Sequence, residues 1–181
     1  GEPEWSSLWG PGRPGWHVEC SALALRELGP EIDLHGGGAD LIFPHHECEN
    51  AQSEAATGRP FVRHWMHSGT VQFEGHKMAK SLGNLAFVSE LRKKWNPMAI
   101  RLAILSSHYR SSWEWSPVLL DVAQERLSLW SSCAVGDDAL EEVRRALDDD
   151  LDTVSAIEAI DQAAQHGARI TDAAGLLGLK W

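Results

Sequence analysis

Cysteine is scarce in this 181-residue sequence, with only Cys20, Cys48 and Cys133 present. Three thiols are too few for a disulfide scaffold, and the number is odd. Their usage reads as reduced and intracellular, with metal binding left open. Long apolar runs are missing too. No stretch approaches the roughly 18 residues that span a bilayer, and the first residues lack the apolar core of a signal peptide. A cytoplasmic protein with no membrane partner is expected. Positive charge is in deficit, with 16 Lys and Arg against 26 Asp and Glu and a net charge of −10. An acidic chain gains little from the counterion release that drives nucleic-acid binding, which weighs against DNA and against a large RNA surface. Internal repeats and low-complexity tracts are also absent. The chain opens on Gly1 rather than Met and runs at once into GEPEWSSLWGPGRPGW, as the interior of a protein would, so a fragment is expected.

What is present fits a soluble globular chain, with 43% hydrophobic and 23% charged residues. The length suits one sizeable domain, or a domain with a helical appendage. Residues 1–15 are rich in Gly and Pro and read as loop. VECSALALREL (18–28) has helical spacing and is stopped by Gly29-Pro30. EIDLH (31–35) reads as a strand, and HGGGAD (35–40) as a Gly-rich turn that lets backbone approach a ligand. A helix is expected from Pro44 to Gly58. FVRHWMHS (61–68) reads as strand and residues 71–75 as hairpin. Residues 87–95 and 97–107 read as helices, with Asn96 capping the second. Strands alternating with helices up to about residue 90 predict a parallel α/β sheet. After residue 95 strand signals vanish, and four segments from Pro117 onward carry the apolar periodicity of a small bundle. The expected division is 1–95 and 96–181.

Three groups of residues could carry chemistry. His45 and Glu49 lie four apart on one helical face, and Cys20 sits on the preceding helix. Thiolate, imidazole and carboxylate are all zinc ligands, although a core cysteine with surface polar residues would read the same way. His46, Glu47 and Cys48 are rivals, with Cys48 pointing to a different face from His45. In KMAKSLGN (77–84), Lys77 and Lys80 could clamp a polyphosphate and stabilise departing pyrophosphate, or simply form a solvated basic turn. Trp16, His17, His35, Trp65 and His67 cluster near the Gly-rich and strand-end segments, where most tryptophans are expected to be packing.

In order, GRPGWHVECSA, DLHGGGADLIFPHHECENAQSEAATG, HWMHSGTVQFEGHKMAKSLGN and SSHYRS resemble the class I cysteinyl-tRNA synthetase family, over residues 1 to about 115. KMAKS is similar to the family's KMSKS signature, with Ala79 in place of a serine. The resemblance implies the C-terminal half of a Rossmann-like class I catalytic domain, followed by a small helical bundle. It implies zinc held by Cys20, His45 and Glu49, so that cysteine is chosen over serine by its thiolate. Trp16 and His35 would line the cysteine pocket. Gly36, Gly37, Gly38, Asp40, Trp65, His67 and Val71 would hold the adenylate, and Lys77 and Lys80 the phosphates of ATP, with Mg2+. An early cysteine ligand and the HIGH signature of the family are not in this sequence.

The acceptor remains open on the sequence. The short tail ending AAGLLGLKW resembles a branch of the family that joins cysteine to the amine of glucosaminyl-inositol in the mycothiol pathway, with cysteine, ATP and the amino sugar as small-molecule partners. Glu49 and AQSEAATG look more like the branch that charges tRNA. A third reading is a non-catalytic piece that binds zinc or nucleotide.

Overall fold

The computed structural model describes residues 3–181 and falls into two compact units, one ending at Ser68 and one running from Gly69 to Trp181. The first unit opens with a hairpin of β1 (Trp5–Ser7) and β2 (Gly10–Gly12). Helix α1 (Trp16–Leu28) ends where Gly29 takes φ 92° and returns its N–H to the Leu25 carbonyl. Strand β3 (Ile32–Gly38) and strand β4 (Val62–Ser68) pair in parallel, with α2 (Glu47–Thr57) in the crossover between them.

Three expectations need correction here. The stretch read as loop up to residue 15 contains the β1–β2 hairpin, whose three-residue strands are too short to show alternation. The glycines do not form a turn. Gly36, Gly37 and Gly38 continue β3, opposite Met66, His67 and Ser68. Space rather than backbone φ explains them: a Cβ on Gly36 would sit 3.2 Å from the Met66 carbonyl oxygen, and one on Gly37 2.7 Å from the His46 ring. The helix expected from Pro44 starts instead at Glu47, after a wide turn over Ile42–His46. Phe43 is extended (φ −135°, ψ 135°), the conformation that a following proline imposes, so regular helix cannot begin before it.

The interior of this unit is unusually polar. Its buried residues are Ile32 and Phe61 together with Ser21, His45, His46, Glu49 and Ser53. Small side chains let α1 approach α2 closely, and Ser21 Oγ donates to Gln52 Oε1 at 2.7 Å. Leu34 and Phe43 stay exposed.

The second unit begins with a hairpin of β5 (Val71–Phe73) and β6 (His76–Lys77). Its two-residue loop, Glu74-Gly75, has φ 55° and 74°, the paired positive values that match the twist of a tight hairpin. A two-residue strand, β7 (Trp113–Glu114), joins β5 in parallel. The expectation of no strand after residue 95 missed it, because two residues are too short to show alternation. Helix α3 (Val88–Leu91) is shorter than expected, since the chain reaches Trp95 by single turns before Pro97. Helix α4 (Pro97–Leu105) is capped by Asn96 Oδ1, which accepts the Met98 N–H at 2.9 Å.

The remaining helices are α5 (Val118–Ser131), α6 (Leu140–Asp148), α7 (Thr153–Gln165) and α8 (Thr171–Leu176). Leu102, Leu120, Trp130, Val143, Ile160 and Ile170 are fully buried between them. Trp130 keeps its indole N–H satisfied on Asp161 Oδ1 at 2.9 Å. The expected division after residue 95 falls inside this unit, where Val71, Phe73, Met78, Leu91 and Trp95 pack against the helical core.

The segment after α4 is tied to the α6–α7 corner by one carboxylate. Asp150 accepts from Tyr109 Oη at 2.7 Å and from Arg110 Nε and Nη2 at 2.6 and 2.9 Å. The Arg110 guanidinium, and then the Tyr109 hydroxyl, pull the Asp150 carboxyl down from 3.8 to about 2. Folding therefore lowers this pKa. The contribution is present above about 3.8 and is lost as pH falls towards 2. Asp150→Asn should lower the urea midpoint at pH 7. The gap to wild type should close between pH 4 and pH 2, while a gap that stays constant with pH would contradict the tie.

Candidate functional site

Helix α1 carries His17 and Cys20 three residues apart, and so on one face. The turn before α2 carries His45 and His46, and the first turn of α2 carries Glu49. A sulfur of Cys20, a ring nitrogen of His45 and a carboxylate oxygen of Glu49 all lie within 4.8 Å of one another. An overlapping group, His35, His46 and Glu49, meets the same limit. Among the described residues Cys48 joins neither group.

Glu49 is the shared member and is 1% exposed. Its Oε2 lies 3.1 Å from His35 Nε2, 3.6 Å from His45 Nε2 and 3.9 Å from His46 Nε2. Burial pushes the Glu49 carboxyl up, opposed by His17. Burial and the Glu49 charge also push the Cys20 thiol up, against a hydrogen bond from Trp16. Burial lowers His35, as do His67 and His45. Burial and the neighbouring His35, His67 and His45 bring His46 down to about 4. At neutral pH His46 is thus a neutral imidazole. A thiol, an imidazole and a buried carboxylate, as in Cys20, His45 and Glu49, make a donor set suited to a borderline-soft cation.

Strand alternation builds the wall beside this centre. His35 and Gly37 on β3 pair with Trp65 and His67 on β4, so all four share one face. Gly37 contributes no side chain, and the His46 ring occupies the space that it leaves. His46 Nδ1 is 2.8 Å from His67 Nε2. Trp65 and His67 lie parallel, with ring centroids 6.1 Å apart. Ile42, His46, Glu47, Asn50, Trp65 and His67 line a cavity of about 180 Å³. The Trp16 ring lies 4.3 Å from that of His45, and Trp16 is largely exposed. A Cβ on Gly38 would meet the Asp40 carboxylate, and Asp40 itself is exposed. The first unit therefore gathers Trp16, Cys20, His35, His45, Glu49, Trp65 and His67 around one region, with Gly36–Gly38 running beneath it.

Val71, Lys77 and Lys80 belong to the second unit. Lys77 ends β6, Lys80 opens a 3-10 turn, and both are exposed. The loop between them is held by a residue that sequence reasoning left without a role. Asn84 Oδ1 accepts the Ala79 N–H at 2.9 Å, and Asn84 Nδ2 donates to the Lys77 carbonyl at 3.2 Å. His17 was expected only as one of the aromatic and histidine group, with no role of its own, although its place one helical turn before Cys20 was a signal.

The chain is similar in fold to part of a class I synthetase catalytic domain. A LeuRS of Agrobacterium radiobacter, solved as a ternary complex with tRNA and LeuAMS, matches 96% of this chain and 30% of its own, with TM-score 0.59 and 14% identity. The chain belongs to the family of class I (C) tRNA synthetase catalytic domains, whose match covers residues 1–125. Relatives from Thermobispora bispora and Acidothermus cellulolyticus are 51% and 54% identical over 184 and 168 residues. Both are named L-cysteine:1D-myo-inositol 2-amino-2-deoxy-alpha-D-glucopyranoside ligase. The matches take in 98% and 89% of this chain but 46% and 42% of those relatives, so the chain spans a little under half their length.

Gly37→Ala tests the wall. The added methyl must displace the His46 ring, and overpacking of this kind costs about 1–3 kcal/mol. Denaturation should show that loss, and the His46 and His67 ring resonances should shift together. Unchanged ring resonances would contradict the packing.

Proposed function

We propose that the protein carrying this chain activates L-cysteine with ATP and transfers the cysteinyl group to the amine of glucosaminyl-inositol. The observation that carries the reading is the convergence of Cys20, His45 and Glu49 on one point, in a chain about half identical to relatives named for that ligation.

The three side chains fit a zinc ion. Glu49 is buried, and its described ion-pair contacts are all to histidines, so no ammonium or guanidinium among them offsets its charge. Zinc, when bound by Cys20, His45 and Glu49, supplies a soft Lewis acid that takes a thiolate in preference to a hydroxyl. Trp16 and His35 close the cysteine pocket. Gly36, Gly37, Gly38 and Asp40, with Trp65 and His67, hold the adenosine side of the adenylate. Lys77 and Lys80 bind the ATP phosphates together with Mg2+.

In the first step the cysteine carboxylate attacks the α-phosphorus, a P–O bond forms, and the bond to pyrophosphate breaks. Lys77 and Lys80 stabilise the charge that develops on the leaving pyrophosphate. In the second step the acceptor amine attacks the acyl carbon, AMP departs with the bonding electrons, and the amine releases a proton. Among the described residues no helix is long and apolar enough to cross a membrane. We place the reaction in the cytoplasm on the strength of the cysteine usage, three free thiols and no disulfide among the described residues. The family description favours one second reading, in which tRNA is the acceptor.

Cys20→Ala and His45→Ala in the full-length protein should each abolish stoichiometric zinc and sharply raise the KM for cysteine, with His46→Ala milder. Lys80→Ala should slow cysteine-dependent ATP–pyrophosphate exchange by roughly 10²- to 10³-fold, as for loss of a group that acts on the developing charge. Cysteine binding should be near normal in that variant. Unchanged zinc content in both ligand variants would remove the proposed centre.

The acceptor is decided by offering the activated enzyme glucosaminyl-inositol or tRNA and following thiol-bearing product. Charging of tRNA alone would overturn the first reading in favour of the second.

A further inference from the structure

Reading Cys20, His45 and Glu49 as metal ligands leaves one close contact without a purpose. His17 Nδ1 lies 2.7 Å from His45 Nδ1, with ring centroids 5.0 Å apart. Two imidazole lone pairs cannot face each other at that distance, so one of these nitrogens carries a hydrogen. The other ring nitrogen of His45, Nε2, is the one turned towards Glu49, 3.6 Å from Oε2.

A neutral histidine presents a lone pair on one nitrogen only. If His45 carries its hydrogen on Nδ1 and donates it to His17 Nδ1, then Nε2 is free to bind a cation. If His17 donates instead, the hydrogen of His45 is driven onto Nε2 and the ligand position is blocked. The choice between the two tautomers is therefore made at the His17 contact.

We propose that His17 is the positioning residue for the metal ligand His45, accepting its Nδ1–H and so holding both the tautomer and the ring rotation that direct Nε2 at the ion. This rests on the metal reading of Cys20, His45 and Glu49. His17 is not a ligand in this scheme, and among the described residues it belongs to neither convergent group.

The local architecture suits the role. His17 and Cys20 stand one turn apart on α1, so the helix that supplies the thiol also supplies the orienting group for the imidazole. Ser21, on the next position, ties α1 to α2 through Gln52 at 2.7 Å. The distance between the orienting residue on α1 and the Glu49 ligand on α2 is thereby held. Trp16 packs a ring against His45 and limits the swing of the imidazole. A hydrogen-bonded outer partner is what metal-bound histidines usually require, and its loss typically costs 10- to 100-fold in metal affinity.

The test uses the full-length protein, with zinc affinity measured by chelator competition and the site reported by cobalt(II) absorption. His17→Ala should bind zinc about 10- to 100-fold more weakly. At saturating cobalt it should still give the wild-type thiolate-to-metal band, because every ligand remains. His17→Asn places an amide oxygen near the position of the lost Nδ1, and it should recover most of the affinity.

Wild-type affinity in His17→Ala would overturn the proposal. Equal weakening in His17→Ala and His17→Asn, with both folded by circular dichroism, would show that an acceptor at this point is not what matters. A changed cobalt spectrum in His17→Ala would make His17 a ligand, which also overturns it. If His17→Ala does not fold, His17→Asn alone decides: near-wild-type affinity supports the role and a large loss refutes it. Absence of stoichiometric zinc from the wild type would instead sink the metal reading itself, an outcome distinct from any of these.

Discussion

A carboxylate taken out of water, with histidines as its described ion-pair partners, is the constraint around which the first unit is built. Glu49 is almost wholly buried, and its Oε2 faces three imidazoles. Burial of an ionised carboxyl without compensation is expensive, and it raises the carboxyl's own pKa. Neutral imidazoles can donate hydrogen bonds to it, and a cation shared with Cys20 and His45 would neutralise it more fully. The polar interior of this unit is the price of a site and a poor way to build a core.

The neighbouring structure follows from making room for that arrangement. Gly37 yields its side-chain volume to His46, and small residues let α1 lie close to α2. Trp65 and His67 complete the wall because strand alternation puts them on the same face as His35. The second unit uses different physics. Its helices bury a conventional apolar core around Trp130, and the lysine loop is held by backbone bonds to Asn84. One unit is organised by solvation of polar groups and the other by removal of apolar area from water.

Local signals in the chain were readable wherever the physics is local. The ends of α1 and α2 followed from Gly29 and Gly58, and Asn96 announced α4 through its cap. The bundle helices followed from apolar periodicity. The four-residue spacing of His45 and Glu49 marked them as a pair, although His45 lies in the turn before α2 and not on the helix itself. Signals failed where a partner strand or ring decides the outcome. The three glycines looked like a turn because nothing in HGGG reveals a neighbouring strand or the His46 ring. The two residues of β7 carried no pattern at all.

By itself the sequence determined the types of donor available, their spacing, the order of the longer strands and helices, and the motifs that mark the family, because each of these is a property of neighbours along the chain. Only the tertiary structure decided that Cys20 meets His45 and Glu49, that His35 and His46 share the same carboxylate, and that His17 stands against His45. Apart from His46 and Glu49, three positions apart, those contacts join residues 14 to 29 positions apart in the chain, and their distances come from how α1, α2 and the β3–β4 pair settle on one another.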